Sequence, residues 1–287
     1  MMEFLHSKDM ISLSCCLPQL HNLQLPSRVI DWTSEFGTQF DANTVFTSAG
    51  ETQASTSFDT DGEALAQAVM SIRGCRVSTI GRRGFSWKEC LANRVESPHE
   101  LKKAFAQIEH GSDTTEPSNA YKVFFDHQAA SDWISELRKA FRDSSIYDSL
   151  PYDPVFKVIF CGSTIPEYRI EGIRTGFRLL EGTGVADLAM WLEDILSTGN
   201  IGHLVQRLQE KAKHYRYFVS VTGLVGYAPD AAQEHDIVVI FFGAPTPFII
   251  RPLNNGRYRF VGPAYVEGIM NGEFMQGNYV EETFKLE

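Results

Sequence analysis

At 287 residues, with 43% apolar and 12% aromatic content, the chain can bury one large core or two ordinary ones. A formal net charge of -10 argues against nonspecific binding to nucleic acid or to an anionic membrane, since both need a basic face. Its five cysteines include no C-x-x-C pair of the kind that puts two thiolates on one zinc ion, so reduced thiols and no metal site are expected.

Met10 to Leu17 is an apolar run near the amino terminus, but Glu3 and Asp9 break the positive leader that a secretory signal needs. No run approaches the roughly eighteen apolar residues of a membrane span, and a cytoplasmic location is expected. Residues 1–24 read as an arm that ends before Pro26. In LPSRVIDW, Leu25 to Trp32, the proline fixes chain direction, Trp32 is an anchor with a large area to bury, and Asp31 can orient it. Strands are expected over residues 44–80. Thr44 to Ala49 is the first strand-like run. Glu63 to Ile80 then lies between the turn signals Asp61-Gly62 and Gly81, with β-branched residues around Gly74 that suggest two strands meeting at a kink.

A helical middle follows. Ser97, Pro98 and Glu100 supply an N-cap, a first-turn proline and a capping-box carboxylate, which predicts a helix over about 98–109. Trp133, Leu137 and Phe141 or Ala140 share one face of a second helix over about 131–143, an aromatic stripe of the kind that fills cores. Ser144 to Pro154 breaks helicity, and Val155 to Phe160 reads as a short strand or buried turn. Two more helices are expected at about 185–197 and 201–213. Gly182-Thr183-Gly184 precedes the first of them, but the stretch has neither the lysine nor the spacing of a P-loop, and Asp187 would repel an anion there.

Residues 214–287 read as a small antiparallel β-barrel or sandwich, giving an α+β fold overall. Tyr215 to Val221 alternates like a strand with one buried face, and Ile237 to Phe242 suits a central strand covered on both sides. Asn255-Gly256 is the strongest hairpin signal, joining Phe248 to Arg251 with Arg257 to Val261, where Tyr258 and Phe260 share a face. Tyr265 to Met270 is the last strand expected, closed by Asn271-Gly272.

The order of these phrases resembles the C-terminal part of the fungal heterokaryon incompatibility family. The phrases are Tyr215 to Ser220, which includes Phe218; Gly223 to Pro229, with Gly226; and Asp236 to Gly243. Pro247 to Pro252 follows, with Arg251, then Gly256, and the ending from Gly262 to Glu273 that contains Tyr265, Gly268, Met270 and Gly272. LPSRVIDW, with Pro26, Asp31 and Trp32, resembles the phrase that follows the family's amino-terminal domain. Arg28, Ile30, Glu267 and Asn271 depart from the family's usual residues. These motif residues are expected to be structural. The family's amino-terminal module, which is TIR-like and linked to cell death, has no counterpart in the short stretch before LPSRVIDW. The resemblance therefore implies a truncated or stand-alone remainder: a noncatalytic sensing, regulatory or scaffold region in allorecognition and programmed cell death, acting through a protein partner and without a cofactor.

The alternative is an enzyme whose site converges from distant positions. No G-x-S-x-G or H-E-x-x-H pattern occurs, and His203, His214 and His235 sit where caps or surface residues are usual. A pocket joining two of them to Asp236 or Glu267 would favour the enzyme. A nucleic-acid surface built on Arg251, Arg257 and Arg259 is opposed by the acidity of the chain.

Overall fold

The computed structural model describes residues 46–59, 69–85, 133–150, 154–159 and 215–287. The chain divides into two compact units. One comprises residues 1–84, 140–163 and 215–287 and contains every described strand; the other comprises residues 85–139 and 164–214. The sequence expectations for Pro26, Asp31 and Trp32, and for the helices near 98–109, 185–197 and 201–213, lie outside the described residues.

Nine strands are present among the described residues: β1 (Thr56–Asp59), β2 (Val69–Arg83), β3 (Tyr215–Ser220), β4 (Val225–Pro229), β5 (Ile237–Phe241), β6 (Phe248–Pro252), β7 (Tyr258–Pro263), β8 (Tyr265–Val266) and β9 (Glu281–Leu286). β2 organises them. Along one edge it pairs with β1 and then β5; along the other it pairs with β9 and then β3, antiparallel throughout. The β5–β6 and β6–β7 ladders and the parallel contact of Tyr258 with Leu286 complete a ring, β2–β5–β6–β7–β9–β2. Beyond it β2 continues into β3, β4 and β8. β8 begins only one residue after β7 ends.

Two cores result, and β5 is the wall between them. Ile237, Val239 and Phe241 enter the ring with Met70, Ile72, Phe248, Phe260 and Phe284. Val238, Ile240 and Phe242 enter the second core with Cys75, Ile80, Phe218, Ile249 and Val261. A strand with apolar residues on both faces can be satisfied only in this way, which is why Ile237 to Phe242 reads as an unbroken apolar run. Register slips near Val77 and Gly81 leave an extra residue in β2 at each place. Cys75 and Ile80 are an odd number of residues apart, yet the first bulge brings both to the same core.

The observed elements differ from the sequence reading at several points. Gly74 lies inside a single strand and does not separate two. A Cβ there would stand 2.4 Å from the Ile240 carbonyl oxygen, so the glycine permits close approach of β5. Residues 48–51 form a turn where Thr44 to Ala49 suggested a strand. Residues 133–142, by contrast, form a helix, α1, as expected there, in which Trp133, Ile134, Leu137, Ala140 and Phe141 are buried. Pro154–Ile159 is a second helix, α2, where a strand or turn was expected. Its proline occupies the first turn, where no N–H is needed, and Val155 and Val158 bury one face. β3 is buried on both faces: Arg216, paired with Asp230, and Phe218, in the second core, share one face, and Tyr215 and Tyr217 are buried on the other. The strand expected over Tyr265 to Met270 stops at Val266, and β9 was not anticipated. The barrel is also not confined to residues 214–287, since its central strand is β2.

The Asn255-Gly256 hairpin forms as its chemistry requires. Gly256 has φ +74°, and the Arg257 N–H donates to Asn255 Oδ1 at 3.0 Å. Tyr258 and Phe260 face the ring core together.

Two substitutions test this packing. Phe260 is fully buried and its ring lies 5.4 Å from that of Phe248, so Phe260→Ala is expected to cost about 3–5 kcal/mol, read as a lowered urea midpoint. Gly74→Val is expected to cost about 1–3 kcal/mol by forcing β5 away, and an unchanged midpoint would contradict the close approach.

Candidate functional site

The motif residues fall into two classes. Most are turn or close-approach positions: Gly223, Gly243, Gly268 and Gly272 have positive φ, as does Gly262 within β7. Gly226 is different, since a Cβ there would meet the Tyr265 carbonyl oxygen at 2.6 Å and the Phe218 ring at 2.7 Å. It lets β4 lie between β3 and β8 with the ring of Phe218 across it. Pro229 and Pro252 end β4 and β6, and Pro247 immediately precedes β6. Met270 is buried, with its sulfur 3.3 Å from the Val266 N–H, and Glu273 caps the turn by accepting from the Asn271 N–H at 2.7 Å.

The second class is a charged clamp. Asp236 is 1% exposed, and its carboxylate accepts two hydrogen bonds from Arg251, Nε to Oδ1 at 2.8 Å and Nη2 to Oδ2 at 2.9 Å. The Gln233 N–H gives Oδ2 a further bond at 2.8 Å, and Arg251 also donates to the Ala231 carbonyl at 2.7 Å. Planar, two-point pairing is the strong form of this interaction, and here it ties the β4–β5 loop to β6. The sequence reading named both residues without joining them. Of the histidines considered with Asp236, His235 is exposed with φ +72°, while His203 and His214 lie outside the described residues. Arg251 is turned toward Asp236 and Arg257 lies 3.6 Å from Glu287, so these two arginines serve separate carboxylates.

A buried polar cluster joins Glu267 and Tyr265, each named in the sequence reading, to Tyr147 and Lys157, which were not. Glu267 is 2% exposed, and its Oε2 accepts from the Tyr265 hydroxyl at 2.5 Å while Oε1 lies 3.9 Å from Lys157 Nζ on α2. The Tyr147 hydroxyl accepts from the Val225 N–H at 2.8 Å and donates to the Glu267 carbonyl at 3.2 Å. Burial pushes the Tyr147 phenol well above its ordinary value. The cluster fastens α2 and the 3-10 turn Ser145–Tyr147 to β4 and the β8 end. No spacing in the sequence brings Tyr147 to Glu267. On the opposite side of β4, Arg216 Nε donates to Asp230 Oδ1 at 2.6 Å and Nη1 donates to the Gly84 carbonyl at 3.3 Å.

Among the described residues, no group of three or more His, Cys, Asp or Glu side chains gathers as it would around a metal ion. No described helix is long and apolar enough to cross a membrane. Cys75 is buried with its sulfur 3.8 Å from the Ile240 carbonyl and 3.7 Å from Met275 Sδ, and burial pushes its thiol up to about 11. The described arrangement does mechanical work: opposite charges and hydroxyls join loops and strands that the backbone ladders leave apart.

Arg251→Ala would leave Asp236 buried and unpaired, with an expected cost of about 3–5 kcal/mol in chemical denaturation. Cys75 gives a pH test. Its folded-state value is raised, so the stabilisation is full below the ordinary thiol value of 9.0 and is lost as pH rises toward about 11. The urea midpoint should fall over that interval, and it should fall less in Cys75→Ala.

Residues 187–286 match the family model of the Het-6 beta-barrel domain, a span that contains β3 to β9. The chain is also similar to heterokaryon incompatibility protein 6, OR allele, of Neurospora crassa, with 36% identity over 61 residues. That stretch is 20% of this chain and spans 9% of the curated relative's length. No solved structure matches the chain. The C-terminal part of this chain is thus similar to the Het-6 beta-barrel domain, in line with the family that its motif phrases resemble.

Proposed function

We propose that the chain is a noncatalytic regulatory, sensing or scaffold region acting in fungal heterokaryon incompatibility, through contacts with other proteins of allorecognition and programmed cell death. The observation that carries this reading is the Het-6 barrel match, which covers β3 to β9 and leaves β1 and β2 outside it. The state of the two candidate acids adds to it. Asp236 is held by Arg251 and a backbone N–H, and Glu267 by Tyr265. Buried carboxylates tied in this manner support strand positions and have limited freedom to exchange protons with a substrate. The relative that matches is itself a heterokaryon incompatibility protein.

Two measurements test the reading. The purified chain, incubated with NAD as a nucleotide cofactor, is expected to hydrolyse it no faster than heat-denatured protein; turnover above that background would make the chain an enzyme. Expressed in a fungal strain, the chain is expected to change the strength of the death reaction on fusion with an incompatible strain. Phe260→Ala, which empties the core, should abolish the change. An unaltered reaction with the folded chain would remove the proposed role.

A further inference from the structure

β9 is paired along the whole of one edge and almost none of the other. On the β2 side, the Arg73 N–H and carbonyl bond to Ser55 and Phe242 on the far edge of β2, so Arg73 and Thr283 face each other as a non-hydrogen-bonded pair. The β9 residues whose backbone groups meet β2 are therefore Glu282, Phe284 and Leu286, and those of Glu281, Thr283 and Lys285 point outward. β7 touches that outer edge only at its end, where Tyr258 lies beside Leu286 and accepts from the Glu287 N–H at 3.0 Å. Among the described residues no backbone group meets Glu281, Thr283 or Lys285 there. Phe284 and Leu286 enter the ring core, so the side chains of Glu281, Thr283 and Lys285 share the opposite, exposed face.

We propose that this outer edge pairs with the same edge of a second copy of the chain, antiparallel, about a two-fold axis at Thr283. β9 keeps its place on β2 in both copies, and the two sheets become continuous. In this register Glu281 of each copy stands opposite Lys285 of the other, and Thr283 opposite its equivalent. These are the residues with spare backbone groups, so each opposed pair can exchange both of its N–H···O bonds. Opposite charges and paired threonines across strands favour the arrangement. Glu281 holds Arg73 through Oε1 alone, and Lys285 has no ion-pair partner among the described residues. The neighbouring registers fail. Centring on Glu282 sets the two Glu282 side chains opposite each other, and centring on Phe284 sets Glu281 against Glu287, where Tyr258 already occupies the edge. Charged side chains on an edge strand ordinarily turn other strands away. Here Glu281 and Lys285, opposite in sign on one face, reject every partner strand that does not mirror them, and a second β9 does. The stretch 281–285 is short, so the interface is small and the dimer depends on concentration.

Sedimentation velocity of the full-length chain over a concentration series at low salt tests the pairing. The unmodified chain is expected to pass from monomer to dimer, and a chain that stays monomeric throughout overturns the proposal. Lys285→Glu and Glu281→Lys each set like charges opposite in a self-pair, and each alone is expected to remain monomeric. Mixed in equal amounts, the two restore both Glu–Lys pairs and are expected to form a one-to-one dimer. The double variant, which exchanges the two charges within one chain, is expected to dimerise as the unmodified chain does. That recovery separates a lost contact from a lost fold. Dimerisation of Lys285→Glu as strong as that of the unmodified chain would mean that another surface is used. A mixture and a double variant that both stay monomeric would overturn the 281–285 register.

Discussion

The barrel depends on one strand satisfying four others. β2 offers both edges along most of its fifteen residues, and β1, β5, β9 and β3 each occupy a segment of them. A regular strand of that length would keep each side chain on one face from end to end. Before Val77 alternate residues serve the ring core with Met70 and Ile72 and the second core with Cys75, and the bulge at Val77 resets the alternation so that Ile80 joins Cys75. Remove either edge and the sheet becomes two open pieces with unpaired backbone groups.

The same constraint explains which parts of the fold could be read from the sequence. β5 was legible because Ile237 to Phe242 has no polar member, and a strand buried on both faces needs none. The β6–β7 hairpin was legible because Asn255-Gly256 is a local instruction carried out within a few residues. β2 was only half legible, since its alternation is reset at Val77 and the reset depends on its partners. β9 was missed because Glu281, Glu282 and Lys285 outweigh Phe284 in a hydropathy reading, although the glutamates serve arginines on β2. α2 was misread because Val155 and Val158 suit a strand as well as a helix, and Pro154 decides the matter only once it is placed in a first turn.

The polar groups follow a parallel division. Asp236 and Arg251 were each prominent in the sequence as members of motif phrases, but their meeting is a tertiary event. Sequence spacing says nothing of a bond between a loop before β5 and a side chain at the end of β6. The Tyr147 hydroxyl spans a still larger separation to Glu267 and Val225. Both connections hold irregular backbone against a sheet, where ladder bonds cannot reach. The motif residues that could be read singly are therefore the glycines and prolines, whose reasons are local. The charged members acquire theirs from the fold.

The position of β2 in the chain has a consequence for synthesis. Arg83 leaves the ribosome nearly two hundred residues before Glu281, and at about 5–20 residues per second this separates the two strands by roughly 10–40 s. For that interval a fifteen-residue strand carrying Met70, Ile72, Cys75 and Ile80 has its later neighbours still unmade. A chain built this way assembles late and all at once. It has a long window in which an apolar strand edge is open to wrong partners and is a natural client for a chaperone at the ribosome.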